Sequence, residues 1–226
     1  MSRLFRRREV WLPTFQGWLL LAALLAVGGV VLGRAALPLL APVAPAPGAR
    51  TLVVEGWLEP PELDQAVALL QRGHYTRVFT SGGPIEPLND VGGWKNFASR
   101  AAAYLDAHAA PWRAIPVPAP ETVRDRTYLS AVMVRERLRA TGGVPAAIDV
   151  FSAGPHGRRS AIVYRMAFGP DVEVGVVTAT SRTLDGSAWW STSSGAKLVL
   201  GEVIALGWTE CCFWPGREST AGADRP

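Results

Sequence analysis

Cysteine is nearly missing from this chain of 226 residues: there are two, Cys211 and Cys212, adjacent near the C-terminal end. That leaves no disulfide framework and no Cys-based zinc site, and the pair reads as two small apolar residues. Histidine is also sparse, at three residues. His74, His108 and His156 do not form a cluster with zinc spacing, so no metal site is expected. Three nucleotide and hydrolase signatures are absent. No G-x-G-x-x-G follows a strand, which disfavours NAD or FAD. No G-x-x-x-x-G-K-[ST] provides an ordinary ATPase loop, and no G-x-S-x-G provides a nucleophile elbow. The sequence therefore names no cofactor. Lysine is scarce, while alanine, arginine, proline and glycine are abundant, a bias we attribute to genomic base composition. The formal net charge is +4. Most of it sits in the first ten residues, where Arg3, Arg6, Arg7 and Arg8 face only Glu9. The remainder is close to neutral, which gives no support to nucleic-acid binding by a folded domain.

A long apolar run is present. From Phe15 to Gly33 the chain reads FQGWLLLAALLAVGGVVLG, about the 18–20 residues that cross a hydrocarbon core. Trp11 and Trp18 lie near its start as interface anchors, and after Arg34 no basic residue follows until Arg50. This asymmetry predicts a basic cytoplasmic tail over 1–14, a transmembrane helix over 15–36 and the remainder outside the cytoplasm, on a bacterial inner membrane. A cleaved signal peptide is the rival. Its apolar core is usually about 7–15 residues, and Pro47 after Ala44-Pro45-Ala46 should hinder cleavage. Residues 37–50 are Pro/Ala-rich and read as a semi-rigid extended spacer lifting the domain off the membrane.

Beyond the spacer, short apolar runs alternate with segments of helical spacing. Strands are expected at 51–55, 77–81, 114–117, 148–152 and 172–177. Helices are expected at 61–72, 94–109, 125–140, 156–168 and 195–208. This alternation predicts one Rossmann-like α/β domain over 51–213, a parallel sheet flanked by helices, with a disordered tail over 214–226.

In such a sheet ligands bind where the carboxyl ends of the strands meet. Glu55 ends the first strand and is a candidate general base, metal ligand or orienting partner for Arg or His; a strand-end ion pair explains it equally well. Ser81, Gly82 and Gly83 end the second strand, where paired glycines permit positive φ and an approach of backbone amides to an anion. Asp125 is placed to cap the third helix. Arg126 is suited to hold a phosphate bidentately, and Thr127 points toward the cleft. His156 and Arg159 are three apart, on one face of the fourth helix; Arg159 is a second candidate phosphate ligand beside Arg126, and His156 fits an acid, a base, or a phosphate or metal ligand. Trp189-Trp190 follows the fifth strand and suits stacking, membrane contact or packing under the sheet edge.

Together these segments resemble the ElyC/SanA/YdcF family of bacterial envelope domains. The resemblance rests on Val53-Val54-Glu55-Gly56, Ser81-Gly82-Gly83, Arg126-Thr127 and the run from His156 to Ser160, and covers about 51–207. It implies a Rossmann-like fold, a frequent N-terminal membrane anchor and a role in envelope or peptidoglycan-precursor physiology, without a settled reaction. Many relatives carry an arginine in the first helix and an acid soon after Ser-Gly-Gly. Here Asp64 stands in that helix and Glu86 or Asp90 in that loop, so those roles do not transfer. The expected ligand is a phosphorylated molecule, lipid-linked or a sugar phosphate, that the protein hydrolyses or transfers; the alternative is a non-catalytic accessory or sensor protein.

Overall fold

A computed structural model describes residues 11–86, 92–181, 184–186 and 188–215. Residues 1–10 of the basic tail, Asp90 and residues 216–226 lie outside the described residues. Five strands are named in chain order: β1 (Thr51–Glu55), β2 (Arg77–Gly82), β3 (Ala114–Pro118), β4 (Ala147–Ala153) and β5 (Glu173–Ala179). All pair in parallel in the order β3-β2-β1-β4-β5. The helices are α1 (Phe15–Leu40), α2 (Pro60–Gln71), α3 (Phe97–His108), α4 (Arg126–Ala140), α5 (Gly157–Phe168) and α6 (Ser193–Cys211). This is the Rossmann-like α/β arrangement the alternation predicts. Its topological switch falls between β1 and β4, where the chain order reverses direction.

The short strands form a sheet because both of their faces are covered, so their sequences are apolar runs without alternation. Every residue of β1 is buried. Successive side chains of β1 point to opposite faces. Leu52 and Val54 join Leu63, Ala66 and Leu70 of α2 and Ala101 and Leu105 of α3 in one core. Val53 joins Ala131, Val134 and Leu138 of α4 and Tyr164 and Ala167 of α5 in the other. Burying each such side chain is worth about 1.5–3 kcal/mol. The strands and their two helical layers therefore form as one cooperative unit, and the carboxyl ends of β1, β2 and β4 are brought to one edge.

Two boundaries differ from the sequence expectation. α1 continues past Gly33 and through Pro38 to Leu40, because Leu40 is held in a small core with Trp189 and Val199. The segment after it is not a free spacer. Ala44 pairs antiparallel with Val176 on the open edge of β5, with backbone hydrogen bonds of 2.8 and 2.9 Å. Ala46 N–H donates to buried Asp149 (2.7 Å), whose other oxygen accepts from Tyr75 (2.8 Å). An exposed strand edge is thereby covered, and the prolines fit because this stretch is extended and makes few ladder bonds.

α1 is long and apolar enough to cross a membrane, and its most apolar stretch is 0% buried by the rest of the protein. The two cysteines are joined to each other as a vicinal disulfide after all, at the end of α6.

Candidate functional site

The switch point holds a buried carboxylate. Glu55 is 3% exposed at the end of β1. Its Oε1 accepts from Ser160 Oγ (2.8 Å), and its Oε2 accepts from Ser152 Oγ (2.6 Å) and Trp57 Nε1 (3.1 Å). The donors come from α5, β4 and the turn after β1, so the site exists only when these elements are packed. Among the described residues no arginine or lysine pairs with Glu55. His156 Nε2 lies 3.9 Å from Glu55 Oε1. A desolvated carboxylate is costly unless donors compensate it. Three neutral donors hold it in place.

His156 lies in the tight turn Gly154–His156 that opens α5. Gly154 takes φ +53 there, the left-handed region that favours glycine. The imidazole meets Trp57 edge-on with ring centroids 5.2 Å apart. Its Nδ1 lies 2.9 Å from Glu202 Oε1 on α6 and 2.7 Å from Arg159 Nη2. Nδ1 can donate to Glu202 or accept from Arg159, not both, so its tautomer is tied to this pair. Arg159 in turn donates from Nε to Glu202 Oε2 (2.8 Å) and from Nη2 to Glu202 Oε1 (3.0 Å). Burial alone would raise the Glu202 carboxyl. The hydrogen bonds from His156 and Arg159, and their charges, outweigh it and hold the group down to about 2.

His156 and Arg159 are thus together on one helix face, as their spacing predicts, and Glu55 lies beneath His156. The sequence reading missed Glu202, Ser152 and the donor role of Trp57. Glu202 had one signal: it is an acid inside an otherwise apolar helix, and such a residue needs a buried partner.

The other predicted site residues behave differently. Ser81 is paired in register with Glu55, but its hydroxyl is buried against Tyr164 OH at 2.9 Å. Burial first, and the nearby Glu55 charge second, push that phenol upward. Neither Gly82 nor Gly83 takes a positive φ. Their carbonyls accept from Ala119 N–H and Phe97 N–H, both at 3.0 Å. Gly82 is required by packing, since a Cβ there would stand 2.7 Å from the Phe97 side chain. Gly56 is the same case, with Phe97 O at 2.5 Å. Gly82 thus admits the start of α3, and the positive φ expected of the pair is not taken.

Arg126 and Thr127 open α4 on the same edge of the sheet, with Arg126 exposed and Thr127 half-buried. Asp125 stands at the cap position but takes φ +50 and makes no side-chain cap bond, so the expected capping fails. Trp189 is 7% exposed and donates to Gly33 O of α1 at 2.8 Å, while Trp190 remains 45% exposed. Among the described residues no group of His, Cys, Asp and Glu is arranged to hold a metal ion.

The edge therefore divides into a closed cluster, Glu55–His156–Glu202–Arg159, and an open basic position at the start of α4. Two cavities lie elsewhere. One of about 730 Å³ is lined by Ala44, Arg165, Gly169 and Glu173 at the β5 side. One of about 320 Å³ lies between α2 and α3 beside Arg100. Neither gathers acid–base groups of the kind that surround Glu55.

Comparison of the chain with family models, with curated proteins and with solved structures finds no match.

Proposed function

We propose that this is a membrane-anchored envelope protein whose α/β domain lies outside the cytoplasm. In this reading the β1/β4 crevice binds a phosphorylated ligand, lipid-linked or a sugar phosphate, and hydrolyses or transfers it. The single observation that carries the catalytic part is the imidazole of His156 set between two carboxylates, Glu55 and Glu202, at the topological switch point. For hydrolysis, His156 takes a proton from water as the water oxygen bonds to phosphorus. The phosphorus–oxygen bond to the leaving group breaks, and the same imidazolium returns the proton to the leaving oxygen. Glu55 acts by stabilising the imidazolium, and Arg159 and Glu202 by fixing the ring.

Arg159 has two of its donors engaged by Glu202. We therefore assign the anion contact to exposed Arg126 and to the backbone amides at the start of α4, where the helix dipole favours a negative group. The motif resemblance to the ElyC/SanA/YdcF family and the apolar helix α1 support the envelope setting.

The engagement of Arg159 and of His156 Nδ1 by Glu202 favours a second reading, a non-catalytic accessory protein that binds the ligand without turnover. The test is phosphate release from a sugar phosphate and from a short-chain polyprenyl phosphate by the full chain in detergent, with affinity measured in parallel. His156→Ala should lower turnover by about 10²–10⁴-fold and leave affinity within a few-fold. Binding without turnover in the unmodified protein selects the accessory reading. Turnover undiminished in His156→Ala rejects the acid–base assignment.

A further inference from the structure

α6 is apolar on faces the protein does not cover. Its inward stripe is Val199, Glu202, Leu206 and Thr209, packed on the α1 end and on the His156 cluster. Its outward stripe is Leu200, Ile204 and Trp208, spaced four apart and therefore aligned on one face. Ile204 is 73% and Trp208 60% exposed, and Leu198, Val203 and Trp214 extend the apolar surface. Between Lys197 and Glu210 the only charge is Glu202, and it is turned inward. A helix face this apolar is normally buried, and among the described residues nothing covers this one.

Its position says what covers it. The turn Trp189–Ser191 immediately before α6 is tied to α1 by Trp189 Nε1 donating to Gly33 O (2.8 Å). Gly33 is the last residue of the uncharged apolar run, and Arg34 follows it. The α6 start is thus held at the level where α1 would leave a bilayer, and the end of α1, at Leu37 and Leu40, packs on Val199 and Leu206 of α6. Trp190, Trp208 and Trp214, before, on and after α6, are all exposed, the residue type favoured at the headgroup level. We propose that α6 lies in the plane of the membrane with Leu200, Ile204 and Trp208 inserted among the acyl chains. The opposite face holds Glu202 against His156, so α6 lies between the lipid and that cluster. This rests on α1 being a membrane anchor and on no part of the phosphoryl chemistry.

The test uses the full chain in vesicles of phosphatidylethanolamine and phosphatidylglycerol. The native cysteines are bonded to each other, so a single introduced thiol can carry a nitroxide label. Leu200→Cys and Ile204→Cys are the probes, Leu24→Cys marks the α1 interior, and exposed Arg137→Cys marks water. Collision with oxygen and with a water-soluble nickel complex should place positions 200 and 204 inside the bilayer, about 5–10 Å below the headgroup boundary. Their oxygen-to-nickel ratio should be several-fold above that at 137. A ratio at 204 equal to that at 137, with 24 still in lipid, overturns the proposal alone. Water contact at 24 overturns the anchor as well. Shielding of 204 from both reagents, with spin–spin broadening, means that a second copy covers the face and also overturns it. Phosphate release is measured separately, so its absence leaves this result standing.

Discussion

Glu202 sits where a pH profile can read it. Its carboxyl is held at about 2 in the folded chain against an ordinary 4.5. A depressed carboxyl stabilises the fold above the unfolded value and loses that contribution as pH falls through the folded one. The window is therefore pH 4.5 down to 2. We expect thermal or urea unfolding of the full chain in detergent to weaken across that range. Glu202→Gln should be less stable at pH 7 and flatter in the window; an unchanged profile would mean the ion pair with Arg159 contributes nothing. At Arg126 the expectation concerns binding. Removing one charge-assisted hydrogen bond costs about 1.5–3 kcal/mol, or roughly tenfold to over a hundredfold in affinity. Arg126→Ala should weaken phosphate-ligand binding by that factor, and Arg126→Lys should recover part of it. Arg159→Ala should act differently, lowering turnover more than affinity, because Arg159 positions His156. Calorimetry and kinetics on the same variants separate the two.

Between elements, close approach decides several identities. Gly56 leaves β1 where α3 crosses it, and a methyl group there meets backbone atoms of Phe97 and Ser81. Backbone cannot turn aside as a flexible side chain can, so α3 must shift. Overpacking of this kind costs about 1–3 kcal/mol, and Gly56→Ala should lower the melting temperature by roughly 2–4 °C per kcal/mol. Gly83 is the internal comparison, because a Cβ there would have ordinary clearance, with its nearest atom at 3.9 Å. Gly83→Ala should leave melting nearly unchanged. Asp149 is a second such junction. It is fully buried and accepts from Ala46 N–H and Tyr75 OH. Asp149→Ala should cost about 1–3 kcal/mol for each donor left unsatisfied and free the segment that covers β5. Faster amide exchange at Ala44 and Ala46 is the readout.

For the whole molecule the proposal concerns orientation: arginines before the apolar run, with no basic cluster soon after it, favour an N-terminus inside. A C-terminal alkaline phosphatase fusion should therefore be active and a C-terminal fluorescent fusion dark. The opposite pair of results would put the domain in the cytoplasm and return ATP to the candidate substrates.

Residue order was enough to determine the parallel α/β class, the place of each strand and helix to within a few residues, and the apolar helix. These are properties of local pattern: apolar period, chain length and turn residues. It also placed Glu55, Arg126 and His156 on one sheet edge, because strand ends in an alternating chain share an edge. What each residue does there was decided by tertiary structure. Glu202 lies 46 positions from His156 and Ser160 lies 105 from Glu55, and no local pattern reports such partners. Gly82 looked like an anion turn and proved to be a packing requirement of α3. Asp125 looked like a cap and took a left-handed backbone instead. The proline-rich stretch looked like a semi-rigid spacer and proved also to close the edge of β5. In each case the sequence states which contacts a residue type can make. The packed chain selects one of them, because burial removes water as the alternative partner.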